Sequence, residues 1–292
     1  MSSPPLPRPR PRNRSPRPER PSLRFRRDGS FKIVQLTDLH WTSGQGADER
    51  TRALIGEVLQ AERPDLVALT GDVVSGSEAQ DPCAAWDAVA GILEAEDVPW
   101  TAVFGNHDDE GSATRQEMLR AQRRHRGCLT ERGPVRLTGI GNYVLPVLGS
   151  RARRPAAFLY FLDSGAYDDL GLGHYAWIAR DQIDWFAKQA RARREPAGKP
   201  ALVFFHIPLP EWDEVWRTQT CHGHRHEEVC SPAVNSGLFT ALVEAGHVMG
   251  AFCGHDHVND FEGELHGIRL CYGRATGFGE YGREGFPRGA RV

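Results

Sequence analysis

Five short stretches of this 292-residue chain carry side chains able to hold metal ions: Asp38-x-His40, Gly71-Asp72, Gly105-Asn106-His107-Asp108, His206 and Gly254-His255-x-His257. They supply oxygen and imidazole donors and no thiolate, a set suited to borderline or hard divalent ions such as Mn, Fe, Co or Zn. Residues two apart share a face of extended chain, which would aim Asp38 with His40, and His255 with His257, at one place. Gly71, Gly105 and Gly254 would let the backbone turn sharply off a strand. If seven such donors serve two ions, one must bridge. A carboxylate can do so, and Asp72 is central in order and preceded by glycine. Two cations ~3.5–4 Å apart can hold a hydroxide between them and clamp both the attacking and the leaving oxygen of a displacement.

Each motif follows a short apolar run rich in β-formers. Strands are predicted at Phe31–Leu36, Leu66–Leu69, Trp100–Phe104, Phe158–Leu162, Ala201–Phe205, Val248–Cys253 and Ile268–Tyr272. Apolar residues spaced for one helical face predict helices over Ala47–Ala61, Pro82–Glu96, Asp181–Arg193 and Ser236–Ala245. Asp81 reads as an N-cap with Pro82 at the first helical position, Gly246 as a C-cap, and Asn235 or Ser236 as the cap of the last helix. Strands alternating with helices predict an α/β core with parallel pairing. In such sheets the site lies beyond the carboxyl ends of the strands, where these motifs fall.

In order and rough spacing the five motifs resemble the calcineurin-like metallophosphoesterase superfamily, over about residues 31–273. VFGNHDDE (103–110), FFHIPLPE (204–211) and GHDHVNDF (254–261) resemble its purple-acid-phosphatase-related, Dcr2-like branch. The resemblance implies a four-layer fold of two stacked mixed β-sheets flanked by helices. It implies Asp38, His40 and His257 on one metal, Asn106, His206 and His255 on the other, and Asp72 bridging. His107 would face the phosphate, stabilising the transition state or protonating the leaving oxygen, while the hydroxide between the metals attacks in line. The pattern departs at Ser75. Purple acid phosphatases carry an iron-binding Tyr there and the phosphoprotein phosphatases an Asp that orients the catalytic His, so the carboxylate serving His107 is left open. Asp163 ends a strand as the ligands do, yet the pattern gives it no metal role, and a structural hydrogen bond is expected.

The net charge of −2 conceals an asymmetry: residues 1–28 hold nine Arg against Glu19 and Asp28, a balance of +7, so the rest carries −9. Residues 1–28 read as a disordered Pro/Arg-rich tail and residues 29–292 as the metallophosphoesterase domain. The tail could give weak electrostatic contact to nucleic acid, but the acidic body argues against a nucleic-acid-binding surface. No apolar run approaches a membrane span and no signal peptide is seen, so a cytoplasmic protein is expected. None of the six cysteines forms C-x-x-C, and reduced thiols are expected, with Cys221 and Cys230 able to pair in an oxidising setting. The intervening CHGHRHEEVC reads as a lid with His222, His224 and Arg225 touching substrate, against the alternative of a third metal site. Arg274 reads as a surface Arg, and the glycines at 273–282 lack the Lys-Ser/Thr of a phosphate-binding loop.

The reading is a dinuclear-metal phosphoric ester hydrolase, a phosphomonoesterase on small phosphates or phosphoproteins. The alternatives are a phosphodiesterase using the same site and a non-catalytic metal-binding scaffold.

Overall fold

Two parallel β-sheet blocks point the carboxyl ends of their strands toward one edge of the molecule, and this is what gathers the motifs. The structure is a computed structural model and describes residues 20–193 and 198–292. The smaller sheet holds β1 (Ile33–Leu36), β2 (Leu66–Thr70) and β3 (Trp100–Val103), all parallel. The larger holds seven strands in the order β4-β5-β6-β8-β10-β9-β7: β4 (Tyr143–Leu148), β5 (Pro155–Phe161), β6 (Ala201–Phe204), β7 (Cys221–His222), β8 (Val248–Cys253), β9 (Glu262–Leu265) and β10 (Ile268–Tyr272). Its four central strands are parallel, and β4, β9 and β7 join antiparallel at its margins. The expected α/β architecture of two sheets flanked by helices is therefore present.

Strand alternation sorts the core into three apolar layers. Val67 and Leu69 of β2 face α1 (Ala47–Glu62), α2 (Pro82–Ala95) and α3 (Arg115–Gln122), meeting Ile55, Trp86, Val89 and Met118. Leu66 and Ala68 point the other way, into the layer between the sheets. There Tyr143, Phe161, Phe204 and Phe252 stack from strand to strand with ring centroids 4.8 to 5.0 Å apart. Val203 and Ala251 face outward under α4 (Arg180–Arg193), α5 (Glu211–Thr218) and α6 (Leu238–Ala245), where Phe186, Trp212 and Leu242 complete the third apolar layer. Fully burying each such side chain contributes about 1.5–3 kcal/mol. Buried Gln35 ties the sheets together beneath the motif edge, its Nε2 donating to Thr70 Oγ1 and to the Cys253 carbonyl, both at 2.8 Å.

Asp81 caps α2 through the Ala84 amide at 3.0 Å, and Gly246 closes α6 in the left-handed conformation. The last helix begins at Leu238, not Ser236, with Gly237 as N-cap and no side-chain cap; Asn235 instead accepts from the Gly237 amide and donates to Glu211. The expected boundary at residue 29 also shifts. Leu23 is buried between the sheets, Phe25 packs against that layer, and the segment is hydrogen-bonded to β4 through Leu148, because alternating apolar residues break the basic run. Residues 1–19 of the expected tail lie outside the described residues. All six cysteines are free, and no described helix is long and apolar enough to cross a membrane.

Candidate metal centre

β1 runs into Asp38 and His40, β2 into Asp72, β3 into Asn106 and His107, β6 into His206, and β8 into His255 and His257. All seven expected ligands are buried. Their donor atoms converge as two triads, Asp38/His40/His257 and Asp72/His206/His255, the atoms of each lying within 4.8 Å of one another. His40 Nε2 is 3.2 Å from His257 Nε2, and His206 Nε2 is 3.2 Å from His255 Nδ1. Asp72 Oδ2 joins the triads, 3.1 Å from His206 Nε2 and 3.8 Å from His40 Nε2. Asn106 Oδ1 completes the second group, 3.2 Å from His206 Nε2.

The chain bends under strain to achieve this. Among the described residues seven non-glycine positions have positive φ, and Asp38, His40, Asp72 and His255 are four of them. Such conformations cost of order 1–3 kcal/mol each and persist where surrounding structure enforces them. Gly71 takes the expected left-handed turn, at φ 93°. Gly105 and Gly254 do not. A Cβ on Gly105 would sit 2.1 Å from Asp72 Oδ1, and one on Gly254 1.9 Å from Thr37 Oγ1, so close approach is what requires glycine at these two positions.

Second partners fix the imidazoles. His206 Nδ1 donates to the Thr70 carbonyl at 2.8 Å and His257 Nδ1 to the Tyr281 carbonyl at 3.2 Å, leaving each Nε2 free toward the centre. His40 Nδ1 lies 3.2 Å from Ser75 Oγ, so the position that departs from the family pattern supports a ligand. His255 Nε2 is buried with no hydrogen-bond partner. Burial pushes His40 and His257 down to about 4 and about 3, and His255 well below the usual imidazole range, so all three are neutral at pH 7. Burial, together with the Asp72 charge, pushes Asp38 up to about 7. For His206 burial acts downward, but the Asp72 and Asp38 carboxylates outweigh it and hold the imidazole up at about 9. Four imidazoles, an amide oxygen and two carboxylates converging in one buried group are a donor set that fits two divalent cations, which would take the place of the His206 proton.

Asp108 does not turn to His107. It is buried and accepts from the amides of Asp72, Val73, Val74 and Gly105, locking the β2 and β3 loops together. The carboxylate beside His107 is Glu110, its Oε2 2.7 Å from His107 Nδ1. The Tyr167 hydroxyl bonds the other Glu110 oxygen and accepts from Asn106 Nδ2 at 3.1 Å, which turns the amide oxygen of Asn106 toward the metal group. The His107 side chain is 42% exposed, whereas the seven ligands are closed off. Asp163 is structural as expected, bonded to Arg115 and the Ile140 and Gly165 amides.

His222, His224 and Arg225 are not members of either triad. Arg225 pairs with Asp213 at 3.0 Å, and His224 packs on Phe286 with its amide on Asp260. Asn259 Oδ1 holds the His226 and Glu227 amides, and Glu227 Oε1 accepts from the Val258 amide, fastening this loop to the turn that carries His257. Among the described residues the loop is not one of the metal-like clusters. Arg274 is engaged by Asp260 and lies 3.4 Å over the Phe286 ring.

Residues 31–259 match the calcineurin-like phosphoesterase family. The chain belongs to that family. It is 36% identical over 309 residues to "Probable inactive purple acid phosphatase 14" of Arabidopsis thaliana, covering 94% of this chain and 77% of the relative. It is 33% identical to "Phosphatase DCR2" of Saccharomyces cerevisiae, over 84% of this chain and 48% of that protein. A dimetal phosphatase from Danio rerio shares the fold at a TM-score of 0.59 and 14% identity, covering 84% of this chain and 88% of that one. This metallophosphoesterase therefore pairs two buried Asp/His triads with relatives that include proteins named inactive.

Proposed function

We propose that the protein is a phosphoric ester hydrolase that works as a phosphomonoesterase with two divalent ions drawn from Mn, Fe, Zn and Co. The observation that carries this is Asp72 Oδ2, within 3.1 Å and 3.8 Å of one imidazole from each triad. Asp38, His40 and His257 would hold one ion and Asn106, His206 and His255 the other, with Asp72 placed to serve both. When bound, the pair of cations neutralises phosphoryl charge and acidifies a water for in-line attack. Burial acts to lower His107, but Asp72 and Glu110 raise it above the usual imidazole range, which keeps a proton available near neutrality. With Nδ1 held by Glu110, His107 presents Nε2 to the leaving oxygen and protonates it. Ser75 provides no tyrosinate, so the tyrosinate-to-iron colour should be absent and a ferric ion is not required.

A second reading is metal binding without turnover, favoured by the name of the Arabidopsis relative. The complete ligand set together with His107 supports the catalytic reading. Metal analysis followed by paired monoester and diester assays decides between them. Two ions per chain, and monoester turnover lost on chelation and restored by metal, is the expected result. Two ions with no turnover of either ester would leave the scaffold reading standing, and diester preference would replace the phosphomonoesterase.

A further inference from the structure

The C-terminal segment after β10 forms one wall of the metal centre. Gly277 donates to the Asp38 carbonyl at 3.0 Å, carrying the chain past the first triad. The Tyr281 ring stacks on His257 at 4.2 Å, and Glu280 Oε1 is 4.0 Å from His40 Nδ1. Beside this wall lies an open depression of about 430 Å³ lined by Arg50, Phe278, Glu280, Arg283 and Arg288 among others.

Three arginines, Arg50, Arg283 and Arg288, line it, and none is ion-paired with a carboxylate among the described residues. Arg50 lies 4.0 Å over the Phe278 ring. Arg288 donates to the carbonyls of Glu280 and Tyr281. Among the described residues the exposed Arg283 side chain has no hydrogen-bond or ion-pair partner. Elsewhere the arginines that face carboxylates pair with them, as Arg26 does with Asp65, Arg124 with Asp87 and Arg291 with Glu262. Glu280 is the single carboxylate in the lining, leaving an excess of two positive charges. One carboxylate does not balance three guanidinium groups, and an anion entering the depression would offset the excess while taking forked guanidinium hydrogen bonds. Glu280 lines the depression and also lies 4.0 Å from His40 Nδ1, so the depression adjoins the first triad through this residue.

We propose that this depression is a second anion subsite, which receives a phosphate carried on the leaving group, so that the preferred substrates are bisphosphorylated small molecules. The assignment rests on the hydrolase reading for its kinetic consequence and on the arginine geometry alone for binding. Arg283 is the residue to test, since it touches neither a ligand of the metals nor the catalytic pair.

The full chain treated with chelator should bind glucose 6-phosphate roughly ten-fold or more tightly than glucose in calorimetry, and Arg283→Glu should abolish the difference. With Mn²⁺ restored, both phosphate positions are available, and glucose 1,6-bisphosphate should show a lower KM than glucose 6-phosphate at similar kcat. Arg283→Glu should raise that KM while leaving 4-nitrophenyl phosphate turnover within about two-fold. Equal binding of glucose 6-phosphate and glucose, or a preference untouched in Arg283→Glu, overturns the subsite. Preserved binding discrimination with no hydrolysis of any ester supports the subsite and sinks the hydrolase reading alone.

Discussion

Glu110 Oε2 lies 2.7 Å from His107 Nδ1, and the same carboxylate is held from its other side by Tyr167, which also bonds the side chain of Asn106. The exposed histidine and a buried candidate ligand are thus oriented by one short relay. Glu110→Gln removes the charge and keeps the shape. It should lower kcat by about 10–100-fold on an alkyl phosphate, whose leaving oxygen needs a proton, and far less on 4-nitrophenyl phosphate. Metal content should be unchanged. An equal loss on both substrates would mean that Glu110 does not act through a proton on His107.

Neighbours in the Asn106-His107-Asp108 motif should separate cleanly by stability. Asp108→Ala strips the acceptor from four backbone amides, and each buried donor left unpaired costs about 1–3 kcal/mol. A fall in melting temperature of several degrees, with loss of metal, is expected. His107→Ala, at a half-exposed side chain, should leave the melting temperature nearly unchanged while lowering kcat by about 10²–10⁴-fold. Thermal unfolding of the two variants side by side checks this.

How much of this was legible in the sequence depended on how local the signal was. The strand-end motifs were visible because apolar runs of four or five residues stop at polar clusters, and parallel pairing brings those stops to one edge. α3 was missed although Thr114 and Glu117 form a full capping box, because eight residues with only Met118, Leu119 and Ala121 apolar show little periodicity. β4 was missed because Pro146 interrupts it; its place at the sheet margin, with Pro146 exposed, is where proline is tolerated. The Glu110–Tyr167 contact joins residues 57 apart through a loop without a motif, and only tertiary packing creates it. The histidines of residues 222–226 stood out by composition, but composition carries no information on which way a loop is tied.

Ser75→Ala should weaken metal binding by about 10–100-fold, the usual effect of removing an outer-shell partner, by freeing His40 Nδ1. Folding stability should change little. Titration of chelator-treated protein with Mn²⁺, monitored by calorimetry, gives the comparison with the unsubstituted chain.

Metal binding should release protons. Ligation needs an ionised carboxylate and a neutral imidazole, but Asp38 holds its proton up to about pH 7 and His206 up to about pH 9. His40 and His257, lowered to about 4 and about 3, contribute none near neutrality. Both raised groups act in one direction: affinity climbs as pH rises from about 6 to about 9, and proton release shrinks over the same interval. Calorimetry in buffers of different ionisation enthalpy measures the release, and a value near zero at about pH 6 would contradict the assignment.

The most direct measurement is the dependence of turnover on metal equivalents. Chelator-treated protein titrated with Mn²⁺ should stay nearly inactive toward 4-nitrophenyl phosphate through the first equivalent and gain activity with the second. Asp72→Asn should bind fewer ions and show no such gain. Two ions bound tightly with no hydrolysis, or full hydrolysis without added metal, would contradict a two-ion hydrolase built around Asp72.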